Sequence, residues 1–308
     1  MSDAEALRRQ YEEALQAFVE KVARDPYLLA AILFGSLSYD EVWEKSDIDV
    51  MLVGRDEKNA DRAFCLVENG INIHAFITPR GKFRRMMEGA LQSSFVHSSF
   101  SRSRLLFTRD ETLRELYEKK DHLGTKDREV QLLRAGTGVL PPLMKAEKWF
   151  YVKRDLNYSF LWMMKLMDGL AQVEAFLNRE IAGREVIQQA LRLNPSFFNA
   201  VYTDLINQKK TARAVQSALG LINRYLDDRL DALFRPVLEF LSEADGVRSA
   251  TEVEDHFNRH MNIEGVTTAC EWLADKGIIR KVSSPLRLTE KSRVAFEEAA
   301  FYYQRGTP

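Results

Sequence analysis

Apolar positions recur at helical spacing from Asp3 to Ala23, the run stops before Pro26, and an unbroken apolar stretch from Leu28 to Phe34 follows. This order predicts an amphipathic helix and then a buried strand. Ile48 to Val53, closed by Gly54, predicts a second strand, and Ile71 to Ile77, closed by Thr78-Pro79, a third. Between them, Asn59 to Glu68 reads as a helix ended by the cap pair Asn69-Gly70. Lys82 to about Leu91 reads as a helix, Ser93 to Ser103 fits neither period, Leu105 to Thr108 reads as a short strand, and Glu111 to Glu118 as a helix. Strands and helices in alternation predict an α/β (α+β) domain with a mixed sheet over residues 1–120.

From about Lys126 to Glu243 strand signals disappear. Leu156, Phe160, Met163, Met167, Leu170 and Leu177 fall on one face of a single long helix, while Pro141-Pro142, Gly183 and Asn194-Pro195 read as turns. An all-α helical bundle over 121–245 follows. The tail, 246–308, reads as a helix, a turn at Gly265, a helix Val266 to Asp275, strands Ile278 to Val282 and Leu286 to Leu288, and a last helix Glu290 to Tyr302. That order, and the segment LADKGIIRKVSSPLRLTEKSRVAFEE, resembles a winged helix-turn-helix module.

Composition narrows the function classes. The 308 residues hold 44 basic and 45 acidic side chains, so no global field draws the chain to nucleic acid or anionic lipid. No apolar run approaches the ~20 residues of a membrane span, and the charged N-terminus MSDAEALRRQ lacks the apolar block of a secretory signal, which predicts a cytoplasmic protein. Two cysteines, Cys65 and Cys270, lie far apart without metal-ligand spacing and read as packing thiols. Local basic patches exist: Arg80 to Arg109 holds seven Lys/Arg against Glu88 alone, and Lys145 to Arg154 holds four against Glu147.

The chemistry concentrates in LFGSLSYDEVWEKSDIDVML, where Gly35-Ser36 ends one apolar strand and Asp47-Ile48-Asp49 opens the next. A Gly-Ser turn lets backbone amides approach a phosphate with no Cβ in the way, and Ser36 adds a hydroxyl donor. On a strand, positions i and i+2 share a face with Cα atoms about 6.5 Å apart, so Asp47 and Asp49 point the same way while Ile48 and Val50 turn to the core. Such a pair suits a divalent cation, Mg²⁺ (or Mn²⁺), that also takes substrate phosphates.

This stretch resembles the signature of the DNA polymerase β nucleotidyltransferase superfamily, over the first ~110 residues, and the segment KAEKWFYVKRDLNYSFLWMMKLMDGLAQVEAFLN is similar in character to the helical half of its small-molecule members. The resemblance implies that Gly35 and Ser36 hold a nucleotide triphosphate and that Asp47 and Asp49 hold divalent metal. It implies transfer of a nucleoside monophosphate from an NTP such as ATP to a hydroxyl of a small-molecule acceptor. The superfamily usually adds a third carboxylate on a later strand. Here the corresponding strand, INIHAFI, offers Asn72, His74 and Phe76 on one face and no acid. His74 is open to two roles, metal ligand or base; Glu68, Asp155, Asp168 and Glu174 stand as other sources of an acid. Ser46, Arg84 and Lys148 are nucleotide-binding candidates, with Lys153 and Arg154 beside the last, and Trp149, Phe150, Tyr158 and Trp162 are candidates for stacking or for core.

Two competing functions stay open. One is a nucleotide-binding protein without turnover, because the third carboxylate is missing. The other is a transcription regulator acting through the tail, against which Val266 to Lys276 presents Thr267, Thr268, Glu271, Asp275 and Lys276 where a set of base-reading residues belongs, and the tail carries nine basic and nine acidic residues. His97, in its serine-rich surroundings, lacks a GxSxG frame for a hydrolase, and His122, His256 and His260 lack a metal-binding frame. Nucleic acid and membrane are not expected partners; an oligomer is compatible with the sequence.

Overall fold

The computed structural model describes residues 3–57, 61–90, 100, 102–118, 125–243, 246–289, 291 and 293–303. Contacts divide the chain into two units, Met1–Gly124 and Thr125–Pro308. Among the described residues no helix is long and apolar enough to cross a membrane.

The first unit is a five-stranded sheet covered on both faces. Its strands are β1 (Leu28–Phe34), β2 (Ile48–Gly54), β3 (Arg62–Glu68), β4 (Ile71–Pro79) and β5 (Arg104–Thr108). Their order is β3-β4-β2-β1-β5, with β2 and β4 parallel and the other neighbours antiparallel, so the sheet is mixed. Helix α1 (Asp3–Arg24) lays Tyr11, Ala14, Leu15, Phe18 and Val22 against Ala31, Leu33, Ile48, Val50, Leu52, Ile73 and Ala75. The apolar stripe of α1 has the three-to-four-residue period that a helix needs to bury one face. On the other face, Phe83 and Met87 of α2 (Arg80–Ala90) and Leu113 and Tyr117 of α3 (Glu111–Glu118) pack with Phe100 against Ala30, Ile32 and Val53.

One expected helix is a strand. Residues 62–68 form β3, and Asn69-Gly70, at φ 49° and 80°, is the two-residue turn of a β3–β4 hairpin rather than a helix cap. Two successive positive φ values match the twist of a hairpin, which is why Asn-Gly is favoured there. The start of that segment, residues 59–60, and most of the ambiguous stretch, residues 93–99 and 101, lie outside the described residues. The misreading has a cause: β3 is an edge strand with Phe64, Leu66 and Val67 all exposed, so no clean alternation marks it.

The second unit is built on α4 (Thr125–Tyr151) and α5 (Leu156–Leu177), followed by α6 (Val186–Leu193) and α7 (Pro195–Phe198). A π-helical turn, Asn199–Thr203, leads into α8 (Asp204–Asn207), then α9 (Ala212–Asp227) and α10 (Leu230–Ser242). Pro141 and Pro142 lie inside α4 and not at a turn. Proline in a helix interior costs about 3 kcal/mol or more, and here the burial of Leu132, Leu133, Val139, Leu140, Leu143 and Phe150 on both sides of the pair offsets it. Asn194 does end one helix and cap the next, its side chain accepting from the Phe197 amide.

The tail contains β6 (Arg248–Ser249), α11 (Ala250–Met261), α12 (Val266–Asp275), β7 (Arg280–Leu286) and β8 (Phe296–Tyr302). The last element is thus a strand, paired antiparallel with both β6 and β7, where helical composition had suggested a helix. The two short strands expected before it are one strand running through Pro285, which an edge position tolerates because no amide is needed there. Val253, Phe257, Val266, Leu273 and Phe301 join the same core as α4 and α5.

Gly169 of α5 sits close against α4, since a Cβ there would meet Val139 Cγ1 at 2.6 Å, whereas one at Gly220 of α9 would meet nothing within 4 Å. Gly169→Ala is expected to lower stability by about 1–3 kcal/mol through overpacking, and Gly220→Ala to raise it by roughly 0.5–1 kcal/mol through helix propensity. Urea unfolding of the two variants checks the opposite signs.

Candidate functional site

Strand geometry assembles the site. Alternation on β2 buries Ile48 and Val50 under α1 and turns Asp49 to the opposite face. In register across the sheet, Phe34 of β1 stands opposite Asp49, Asp49 opposite His74 of β4, and His74 opposite Cys65 of β3. Directly paired residues share a face. Asp47 Oδ2 lies 2.9 Å from His74 Nδ1, and Asp49 Oδ1 lies 3.7 Å from the same nitrogen. One donor atom from each of Asp47, Asp49 and His74 falls within 4.8 Å of the others. All three side chains are partly exposed.

The Gly-Ser turn abuts this group. Gly35 adopts φ 73°, ψ −166°, a conformation close to glycine-only, and a Cβ on it would sit 2.6 Å from Asp49 Oδ2. Glycine is required here twice over: for the backbone angle and for the carboxylate that occupies the space. Ser36 opens a short 3₁₀ turn, Ser36–Tyr39, anchored by buried Leu37 and closed by the Ser38 amide and hydroxyl, both donating to the Gly35 carbonyl. Ser36 Oγ donates to Ser46 Oγ at 3.3 Å, and Ser46 Oγ in turn accepts from the Trp43 amide. The two serines therefore tie the ends of the loop that joins Gly35 to Asp47.

Tyr11, which the sequence presents only as one member of a core stripe, is a structural partner of the site. Its hydroxyl donates to the Ser46 carbonyl at 2.7 Å, one residue before Asp47. Burial first, and then the negative charge of Asp47, hold this phenol above its ordinary pKa. No pattern in the sequence separates Tyr11 from the other buried positions of α1.

The remaining candidates fall on other elements. Arg84, on α2, lines a surface hollow with Arg80, Thr112 and Glu115. Lys148 lies in the last turn of α4, in the second unit. The acids considered in that unit have scaffold partners: Asp155 caps α5 by accepting from the Tyr158 amide, Asp168 accepts from Gln172, and buried Glu174 accepts from Asn178, Asn194 and the Tyr225 hydroxyl. Glu68 pairs with Lys21 at 2.6 Å. Trp149 and Tyr158 pack on each other with centroids 4.3 Å apart, and Phe150 is core. His256 and His260 lie side by side at 4.6 Å, and His256 stacks on Phe240; burial, then the neighbouring His260, lowers the His256 pKa. His97 and His122 lie outside the described residues. Among the described residues, Asp47, Asp49 and His74 are the one group of three or more His, Cys, Asp or Glu side chains poised for a metal ion.

A mixed sheet that sets a Gly-Ser turn against a pair of aspartates on the adjacent strand is the frame of a nucleotidyltransferase domain. Residues 16–112 match the family model for the polymerase β nucleotidyltransferases. The N-terminal unit is a nucleotidyltransferase domain of the DNA polymerase β superfamily. In structure the chain is similar to a nucleotidyltransferase-like protein from Exiguobacterium sibiricum, with a TM-score of 0.66 and 16% identity over 95% of this chain and 99% of that one. At that identity the likeness is one of fold, and it extends over both units. No curated protein matches the chain significantly in sequence.

Gly35→Ala is expected to destabilise the protein by about 1–3 kcal/mol and to displace the Asp49 carboxylate. Gly70→Ala, at φ 80° with nothing within 4 Å of its Cβ, brings the backbone strain without the clash. Divalent-cation titration of both variants separates the effects: affinity falls in the first and holds in the second.

Proposed function

We propose that the N-terminal unit binds a nucleoside triphosphate with a divalent cation and transfers the nucleoside monophosphate to a hydroxyl of a small-molecule acceptor. The observation that carries this reading is the convergence of Asp47, Asp49 and His74 beside a Gly35 whose missing Cβ makes room for Asp49. The donor set fits a cation of the size that bridges carboxylates and phosphate oxygens. When bound, the cation supplies charge neutralisation at the transferred phosphoryl group and the leaving oxygen.

Within the protein, Asp49 on β2 and Asp47 just before it would hold that cation from a backbone pinned by buried Ile48 and Val50. Gly35 and Ser36 present backbone amide and hydroxyl to the triphosphate, and Ser46, tied to Ser36, keeps the loop closed. Arg84 is proposed to serve the phosphates from outside this cluster. The acceptor oxygen forms a bond to the α-phosphorus, the bond from that phosphorus to the bridging oxygen breaks, pyrophosphate leaves with the electron pair, and the hydroxyl proton passes to solvent. Positioning and electrostatics supply most of the acceleration in such transfers. The setting we infer is the cytoplasm, consistent with both cysteines being free.

A second reading has its own observation. The third ligand position holds an imidazole in place of a carboxylate, which supports a nucleotide-binding protein without turnover. For the tail, the order α10, β6, α11, α12, β7, β8 with sheet order β6-β8-β7 supports a winged helix-turn-helix. Its α12 is poorly suited to DNA: Lys281 pairs with Glu271, Lys276 pairs with Asp227, and Thr267 is held by Glu254. We assign the tail an interaction role.

Asp47→Asn/Asp49→Asn is expected to weaken cation-dependent nucleotide binding by about 1.4 kcal/mol or more, a factor of ten, with the fold intact. Calorimetry with ATP and GTP, with and without cation, and circular dichroism check this. Unchanged binding with intact fold would falsify both nucleotide readings. Pyrophosphate release over an acceptor panel then separates transfer from binding alone.

A further inference from the structure

We propose that His74 is a direct metal ligand and that it shifts the centre away from Mg²⁺ toward first-row transition ions, with Mn²⁺ as the probe. The inference rests on the metal-nucleotide reading above and specifies which cation the site takes.

Three observations carry it. His74 and Asp49 are paired in register on adjacent parallel strands, so sheet pairing fixes the backbone beneath both side chains. The strands beneath them are held by Ile48, Val50, Ile73 and Ala75, all buried under α1. The imidazole Nδ1 is turned inward between the two carboxylates, at 2.9 Å from Asp47 and 3.7 Å from Asp49. A cation bound by both aspartates therefore has a nitrogen donor within reach.

Donor chemistry sets the preference. Mg²⁺ favours oxygen donors and holds its waters, whereas imidazole suits the transition ions, more so later in the affinity series; Mn²⁺, the first of that series, is the member whose bound state reports a nitrogen ligand by EPR. Charge acts in the same direction. Two aspartates and a neutral imidazole leave a divalent ion with no net charge, where three carboxylates would leave one negative charge. The centre thus relies less on charge density, the property in which Mg²⁺ excels, and more on the bond to nitrogen.

The rival account is that protonated His74 only pairs with the aspartates and yields when metal arrives. The test uses the full chain stripped of metal, titrated calorimetrically with Mn²⁺ and with Mg²⁺, and examined by pulsed EPR on bound Mn²⁺ for coupling to an imidazole nitrogen. Expected are nitrogen coupling in the wild type and binding of Mn²⁺ about ten-fold or more tighter than Mg²⁺. In His74→Asp the coupling disappears and the Mn²⁺ preference shrinks by about ten-fold. His74→Gln, which adds no charge, also loses the coupling, so the outcome does not hang on one variant folding. Mn²⁺ that binds the wild type without nitrogen coupling, or a preference unchanged in both variants, overturns the inference. If that binding still disappears in Asp47→Asn/Asp49→Asn, the broader reading stands while this one falls. Mn²⁺ binding that is absent from the wild type, or that survives the double aspartate change, overturns both.

Discussion

Two carboxylates held within a few ångströms of each other on one strand repel by roughly 3 kcal/mol at an effective dielectric near 20, less where water reaches them. A chain free to relax would splay them apart. Here it is not free, because Ile48 and Val50 alternate with the aspartates and are fully buried beneath α1. A slip of one residue would bring Ile48 and Val50 to the open face and drive Asp47 and Asp49 into the core. The hydrophobic effect that fixes the register of β2 therefore also enforces the repulsion. Concentrated charge on a rigid strand is what a divalent ion can convert into binding free energy.

The loop between β1 and β2 solves a different problem, that of bringing a backbone turn against a carboxylate. At Gly35 the space a side chain would need is already filled by Asp49 Oδ2. The turn is then held from behind by Leu37, by the Ser36–Ser46 hydroxyl contact and by Tyr11 on α1. The same helix that fixes the register of β2 thus pins the residue before Asp47. Stability and site geometry share their supports in this unit, so substitutions in the α1 stripe will be felt at the aspartates.

Much of this was legible in the chain. Asp47 and Asp49 follow from strand alternation alone, and the absence of an acid on INIHAFI pointed to His74, which the sheet register sets directly opposite Asp49. What escaped reading has physical reasons. Exposed apolar residues on both faces of β3 erase its period, although Asn69-Gly70 carried the hairpin signal. Pro141-Pro142 looked like a break because local propensity cannot see the burial that holds α4 together on either side of it. The last strand is rich in Glu and Ala, and only its pairing with β6 and β7 makes it extended. Tyr11 acts through its hydroxyl, while the periodicity that reveals it reports only its ring.

The imidazole in the third position bears on how nucleotide and metal would bind together. With three carboxylates a site can hold a divalent ion strongly before any nucleotide arrives. With two carboxylates and a neutral ring, the remaining ligands and negative charge are best supplied by the triphosphate itself. Each partner then raises the affinity of the other by the same factor, as linkage requires. On the proposed reading, an imidazole in place of an acid makes the cation and the nucleotide more dependent on each other.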